Sequence, residues 1–310
     1  MEKSGLLLAA LAALLVAQPR PTAAWNTEAV QRTVFDISPV IDDAVNESLA
    51  GKNVLAVFDI DNTLLTTPQL LGSNQWFADQ YSSLKKACPD FGAEPCGTRM
   101  AQLLRFYDAV EERTHQETTE PSVAPEIGAL QSYSIRAIAL TDRGGDIADA
   151  TRRQLAENGI DFSKTAFGFG DPLPNFPAQS DPRGPTYQGG VLMTAGQDKG
   201  QWLLTLLKLT GAHPDLVVYA DDNPRYVAII VQACQGAGIS VHAYRYGRMD
   251  EAVAKYDQGD DLKAVARSET RRFAVTGDIL SDGVASDILP IPTIFEINEL
   301  IYGVPDPSKS

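Results

Sequence analysis

The chain has 310 residues, of which 44% are hydrophobic and 21% charged, with a formal net charge of −14. That composition belongs to a globular protein large enough for one α/β domain with an insertion, or for two small domains. The acidic balance argues against nucleic acid or an anionic membrane as partner, since both are gripped by dense Lys and Arg; a phosphate-bearing ligand would have to be held by a metal or a few local cations.

In chain order, Met1-Glu2-Lys3-Ser4-Gly5 is followed by an almost pure Leu/Ala run over residues 6–17 and then Gln-Pro-Arg-Pro-Thr-Ala-Ala. A short apolar core ending in small residues reads as a secretory signal peptide over residues 1–24. The run is too short for a permanent anchor, although the weak positive region around Lys3 leaves a membrane-tethering helix as the alternative. The mature protein is expected to be exported, periplasmic or secreted, with no further membrane segment. Next, Ser38-Pro39 and the apolar spacing up to Gly51 predict a helix capped by Ser38 and stopped by glycine.

Residues 54–63 read Val-Leu-Ala-Val-Phe-Asp-Ile-Asp-Asn-Thr, an unbroken apolar run ending in two aspartates one residue apart. This predicts a buried strand that delivers Asp59 and Asp61 to its carboxyl edge, where open α/β sheets build their ligand sites. A calcium loop is a poor match, because Thr63, Leu64 and Leu70 stand where it needs Asp or Asn, Gly and Glu. A metal-nucleotide site of the glycosyltransferase type stays open on this stretch alone.

Residues 68–120 follow as an all-helical insertion, with helices over 75–86 and 98–114 and the Cys88 to Cys96 loop between them. Trp76, Phe77 and Tyr81 stand on the first helix, either as core or as lining of a pocket. In an exported protein Cys88 and Cys96 are expected to pair, leaving Cys234 as a buried free thiol. His115 reads as an ordinary surface residue.

A helix over 124–132 leads to a strand over 135–140 that ends in Thr141-Asp142-Arg143-Gly144-Gly145, a hydroxyl beside glycines and a new helix start, suited to a phosphate oxygen. Residues 167–190 form a long Gly/Pro/Asp-rich loop, with 190–194 as the return strand of a hairpin. Asp198 caps the following helix and places Lys199 in its first turn, where an ammonium opposes the helix dipole and is therefore wanted for another reason, unless it is a solvated surface lysine. The strand over 216–220 delivers Asp221 and Asp222 to its end, and Asn223-Pro224 starts a helix reaching Gly236. A strand over 239–244 carries His242 in a structural setting. Beyond Asp250 the residues are mostly charged and helical in period, with a short amphipathic stretch over 294–302.

Strand and helix thus alternate from Val54 to Tyr244, which calls for a doubly wound, Rossmann-like parallel sheet with helices on both faces. The order of Phe-Asp-Ile-Asp-Asn-Thr at 58–63, Leu-Thr at 140–141, Lys199 in Asp-Lys-Gly and Ala-Asp-Asp-Asn-Pro at 220–224 resembles the haloacid dehalogenase (HAD) superfamily, in particular its phosphohydrolases, over residues 54–248. The segment Leu-Leu-Gly-Ser-Asn-Gln-Trp-Phe is similar to an uncharacterised exported bacterial branch, and Thr-x-Arg at 141–143 to class B acid phosphatases, against which the 167–190 loop is long.

The resemblance implies a HAD-like core over 25–67 and 121–250, a helical cap over 68–120 that excludes water and shapes the pocket, and a C-terminal helical extension over 251–310. It implies Asp59 as nucleophile and Asp61 as general acid and base, Thr141 and Lys199 on the phosphoryl oxygens, and Arg143 reaching the substrate. It implies Mg2+ held by the Asp59 carboxylate, the Asp61 carbonyl and Asp222, with Asp221 supporting or adding a ligand. The expected activity is Mg2+-dependent hydrolysis of small phosphate monoesters through an aspartyl-phosphate. An exported phosphate- or metal-binding protein with little catalysis is the alternative, since a fold does not guarantee activity.

Overall fold

A computed structural model describes residues 27–170, 173, 176–177 and 183–281. The expected signal peptide and the amphipathic stretch over 294–302 lie outside them. Among the described residues the strands are β1 (Ala29–Val34), β2 (Val54–Phe58), β3 (Leu65–Thr66), β4 (Glu117–Thr118), β5 (Arg136–Thr141), β6 (Thr186–Gln188), β7 (Val191–Met193), β8 (Leu216–Asp221) and β9 (Ser240–Tyr246). The α-helices are α1 (Ser38–Leu49), α2 (Asn74–Ala87), α3 (Cys96–Glu111), α4 (Val123–Ser132), α5 (Ala148–Glu157), α6 (Lys199–Thr210), α7 (Pro224–Gly236), α8 (Asp250–Gln258) and α9 (Asp260–Thr276).

Every residue of β2 is buried, and the period of two along a strand sends its side chains into two separate cores. Val54, Ala56 and Phe58 pack with Ile41 of α1, Ile127 of α4 and Leu155 of α5. Leu55 and Val57 pack with Leu203 and Leu206 of α6 and Ile230 of α7. A strand apolar on both faces can sit only in the middle of a helix-covered sheet, and β2 does so. The order is β1-β9-β8-β2-β5-β7-β6, parallel throughout except for β6, which pairs antiparallel with β7. The fold is therefore α/β, with a mostly parallel seven-stranded sheet between two helical layers, consistent with a Rossmann-like architecture.

From β2 the chain moves outward through β5 to the β6–β7 hairpin, then crosses back to β8 on the other side of β2. The reversal opens a crevice at the carboxyl ends of β2 and β8, the place where ligands bind in such sheets. Asp59 and Asp221 leave the two strands side by side, with the Asp59 amide donating to the Ala220 carbonyl at 2.9 Å.

Three local features differ from the sequence expectation. Ser38 is the first residue of α1, not its cap, and its hydroxyl donates to Glu126 at 2.7 Å while the Ile37 amide donates to Glu120 at 2.6 Å. Strand β1 is legible only afterwards: Gln31, Arg32 and Thr33 give it no apolar run, because it lies at the sheet edge, where polar side chains blunt pairing with other chains. The third concerns the C-terminal region. Its described part does not stand apart as an extension but joins the insertion in one core, in which Leu71, Trp76, Leu84 and Phe106 pack with Tyr256, Ala266 and Phe273. The Leu71 amide donates to Glu269 at 2.7 Å and the Trp76 indole to Thr270 at 3.1 Å. The insertion itself leaves and re-enters the core through the antiparallel β3–β4 pair, and the Cys88–Cys96 disulfide closes the loop between α2 and α3. Cys234 is free and buried.

This shared core gives a direct test. Phe273 packs edge-on against Phe106 at 5.4 Å between ring centroids, so Phe273→Ala should cost about 3 kcal/mol in urea unfolding and should raise the proteolytic sensitivity of the insertion. A destabilisation under about 1 kcal/mol, with unchanged proteolysis, would show that α9 does not brace the insertion.

Candidate active site

Four chain segments meet at the crevice. The Lys199 ammonium, 1% exposed, donates to the Asp59 carboxylate at 2.7 Å and to the Asp221 carboxylate at 2.8 Å. The solvated-surface alternative for Lys199 is thereby removed: Asp198 caps α6 by accepting from the Gln201 amide at 2.8 Å, and the cap aims the next side chain inward. Burial pulls the Lys199 pKa down, but Asp221 and Asp59 outweigh it and hold it well above the ordinary value. Burial pushes the Asp59 carboxyl well up, with Lys199 opposing and Asp221, Asp222 and Asp61 reinforcing.

Asp221 is committed on both oxygens. One accepts from Lys199 and from the Tyr219 hydroxyl, the other from the Asn223 amide at 2.8 Å. Asp222 is anchored by its backbone, whose amide donates to the Thr63 hydroxyl at 3.0 Å, while that hydroxyl donates to Asp59 at 3.4 Å. Burial, together with Asp221, moves Asp222 up to about 7. Asn62, in the left-handed region at φ 59°, turns the chain just after the aspartates and bonds the Asp222 carboxylate. Thr63 and Asn62 lie within the first motif, but their structural role depends on the neighbouring strand and has no signature in the local sequence.

Asp61 takes a different direction. Arg143 grips its carboxylate with two bonds, Nε at 3.0 Å and a terminal nitrogen at 2.8 Å. The same guanidinium donates to Thr151 at 3.0 Å and Gln154 at 2.6 Å, and pairs with Glu111 at 3.2 Å. The sequence expectation sent Arg143 to the substrate; here its side chain is 2% exposed and fully engaged in orienting Asp61. Glu111 comes from α3 of the insertion and is fully buried, where desolvation lifts its carboxyl from 4.5 to about 7 despite Arg143. Nothing in the sequence marks Glu111, which occupies an ordinary helical position.

Thr141, fully buried, accepts from the Arg143 amide at 3.2 Å through its hydroxyl and from Thr194 through its carbonyl. Tyr226 on the first turn of α7 lays its ring 4.4 Å from the Lys199 ammonium and donates its hydroxyl to Asp142. His115 is exposed beside Glu157, and His242 bonds Asp43 on α1, both away from this cluster. A cleft of about 840 Å3 at the opposite end of the sheet, reaching Lys52 and Ser240, shares no residue with it.

Asp59, Asp221 and Asp222 each offer a carboxylate oxygen within 4.8 Å of the others, a group able to hold a metal ion; the Asp61 carboxylate, tied to Arg143, is outside it. An all-oxygen donor set of this kind suits Mg2+. With Asp221 fully bonded, Asp59 and Asp222 have the more available oxygens.

The class so defined is an α/β protein with a mostly parallel sheet and a buried acidic and lysine cluster at its carboxyl edge. A family model described as "Protein of unknown function (DUF2608)" matches residues 33–283, and the chain belongs to that family. A Chlamydia pneumoniae protein described as "Putative outer membrane protein" is 23% identical over 195 residues, covering 63% of this chain and 70% of that protein. No solved structure matches.

Two outcomes are expected. Lys199→Met leaves Asp59 and Asp221 buried without their cation and should cost about 3–5 kcal/mol in chemical unfolding; a loss under 1 kcal/mol would contradict the buried bridge. For Glu111, the folded protein keeps a proton between pH 4.5 and about 7 that the unfolded chain has released. Its contribution to stability therefore falls as pH rises through that window. Glu111→Gln should remove about one proton from the slope of unfolding free energy against pH there, and an unaltered slope would refute the shift.

Proposed function

We propose that the protein is a HAD-type phosphohydrolase that cleaves small phosphate monoesters with Mg2+ and an aspartyl-phosphate intermediate. The observation that supports this most is the convergence of Asp59, Lys199, Asp221 and Asp222 at one point of the crevice, from three separate stretches of the chain. A phosphate monoester resists attack because the nucleophile approaches an anion, so a site for it must supply positive charge around a carboxylate. Under this reading the insertion over 68–120 acts as the cap, and the core covers 25–67 and 121–250.

Each residue then has a task. The Asp59 oxygen attacks phosphorus in line, forming an O–P bond as the bond to the leaving alcohol oxygen breaks. Asp61 gives a proton to that oxygen and later takes one from the water that attacks the aspartyl-phosphate, which returns Asp59 to its carboxylate. Arg143, itself fixed by Glu111 and Gln154, grips both oxygens of the Asp61 carboxylate and is the positioning residue for it. Lys199 aligns Asp59 and stands with Thr141 as the group for phosphoryl oxygens. Mg2+ at Asp59, Asp222 and the Asp61 carbonyl, with Asp221 supporting them, would neutralise charge as it builds on the phosphoryl group.

The protein is further proposed to be exported. The Cys88–Cys96 disulfide favours an oxidising compartment, and the Chlamydia relative's description points to the cell envelope. Among the described residues no helix is long and apolar enough to cross a membrane.

Phenyl phosphate with Mg2+ should be turned over by the wild type, Asp59→Asn should lose at least about 1,000-fold in kcat, and chelation should abolish activity until Mg2+ is restored. Equal inertness of the wild type and a folded Asp59→Asn across a panel of phosphate esters would favour a binding protein without catalysis.

A further inference from the structure

On the face of the sheet covered by α1, β9 sets His242 against Asp43 and Glu47, which stand one helical turn apart on α1. Two acids at that spacing repel each other along a helix, yet here both approach a histidine that is only 6% exposed. Each of the three offers a ligand atom within 4.8 Å of the others. Glu28, immediately before β1, adds a carboxylate 3.7 Å from Nε2 of the same ring.

The two ring nitrogens are in different situations. Nδ1 lies 2.7 Å from the Asp43 carboxylate, and because an ionised carboxylate only accepts, Nδ1 is the nitrogen that carries the proton. Tyr244, two residues further along β9, bonds the same carboxylate with its hydroxyl, so Asp43 is held from two directions. Nε2 is left with a lone pair, buried and without a hydrogen-bond partner. A proton there would not satisfy it, because 3.7 Å to Glu28 is beyond hydrogen-bond length. Two ligands bonded at about 2.0–2.1 Å to one tetrahedral ion stand about 3.4 Å apart, which is close to the separation found.

We propose that His242 Nε2, Glu28 and Glu47 form a metal site, separate from the acidic and lysine cluster, that takes a divalent transition ion of the zinc class. An imidazole ligand selects such an ion over Mg2+ and Ca2+, which prefer oxygen alone. Asp43 plays the part of the carboxylate that holds the far nitrogen of a metal-binding histidine, fixing the ring and raising its basicity. Lys52 takes one oxygen of Glu47 at 2.6 Å and leaves the second for the ion, while the neighbouring Arg32 is exposed on β1. The Glu28 side chain is 57% exposed and gives the ion a way in from solvent. Its amide donates to Ser240 at 3.3 Å, and Ser240 and Lys52 both line the 840 Å3 cleft, so the site lies at the edge of that cleft. None of these residues enters the phosphohydrolase reading, and either assignment can fail alone.

The test titrates the full chain, stripped of metal by a chelator, with Zn2+ by calorimetry in an excess of Mg2+, which competes for all-oxygen sites. The wild type should take up one Zn2+ per chain. Glu28→Gln, at an exposed side chain whose loss should not disturb folding, should weaken that uptake about tenfold or more, and His242→Gln should abolish it with the fold checked by circular dichroism. Asp59→Asn should leave the isotherm unchanged. Failure of the wild type to bind Zn2+, or binding unaffected by Glu28→Gln, overturns the proposal. So does binding that is lost in Asp59→Asn, which would place the ion in the crevice instead.

Discussion

A buried ammonium between two carboxylates is the constraint on which this molecule depends. Lys199 reaches Asp59 and Asp221 at 2.7 and 2.8 Å with almost no access to solvent. In such surroundings an unpaired charge is expensive, whereas a paired one fixes the position of its partners. The interaction ties α6 to the ends of β2 and β8, on the two sides of the point where the sheet reverses direction. It also gathers Asp59, Asp221 and Asp222 into a group able to hold a metal ion.

A second network runs from the insertion into the same place. Glu111 on α3 meets Arg143 from the loop after β5, and Arg143 holds Asp61 after β2. Gln154 of α5 bridges the same residues, donating to Glu111 while accepting from Arg143. The orientation of the second aspartate is thereby set partly by a residue some fifty positions further along the chain, in a different structural unit. Packing of the insertion and geometry of the crevice are one problem.

Much of this was legible in the sequence, for identifiable reasons. The run Val54 to Phe58 is apolar on both faces, and only a central parallel strand accepts that, so β2 and the carboxylates that follow it could be placed directly. Asp198 and Asn223 cap α6 and α7 as their types predict. The oddity of a cation at a helix start marked Lys199, although the sequence alone left a solvated side chain open. What could not be read depended on tertiary neighbours. Arg143 has the same appearance in sequence whether it faces a ligand or a buried aspartate. Glu111 looks like any exposed helical acid. Strand β1 carries too few apolar residues to announce itself, and Tyr256, Ala266 and Phe273 are too widely spaced among charges to reveal that α8 and α9 complete the core of the insertion.

That last packing changes how the insertion is mounted. A unit spliced into a domain through the β3–β4 pair alone would hang on two adjacent linkers and could swing about them as a door does. Here a third attachment runs from β9 into α8, with Arg245 at the end of the strand gripping Asp250 at the start of the helix. A body fastened at three places does not rotate until one fastening deforms, so the insertion is braced against the sheet and its position there is fixed by the fold itself.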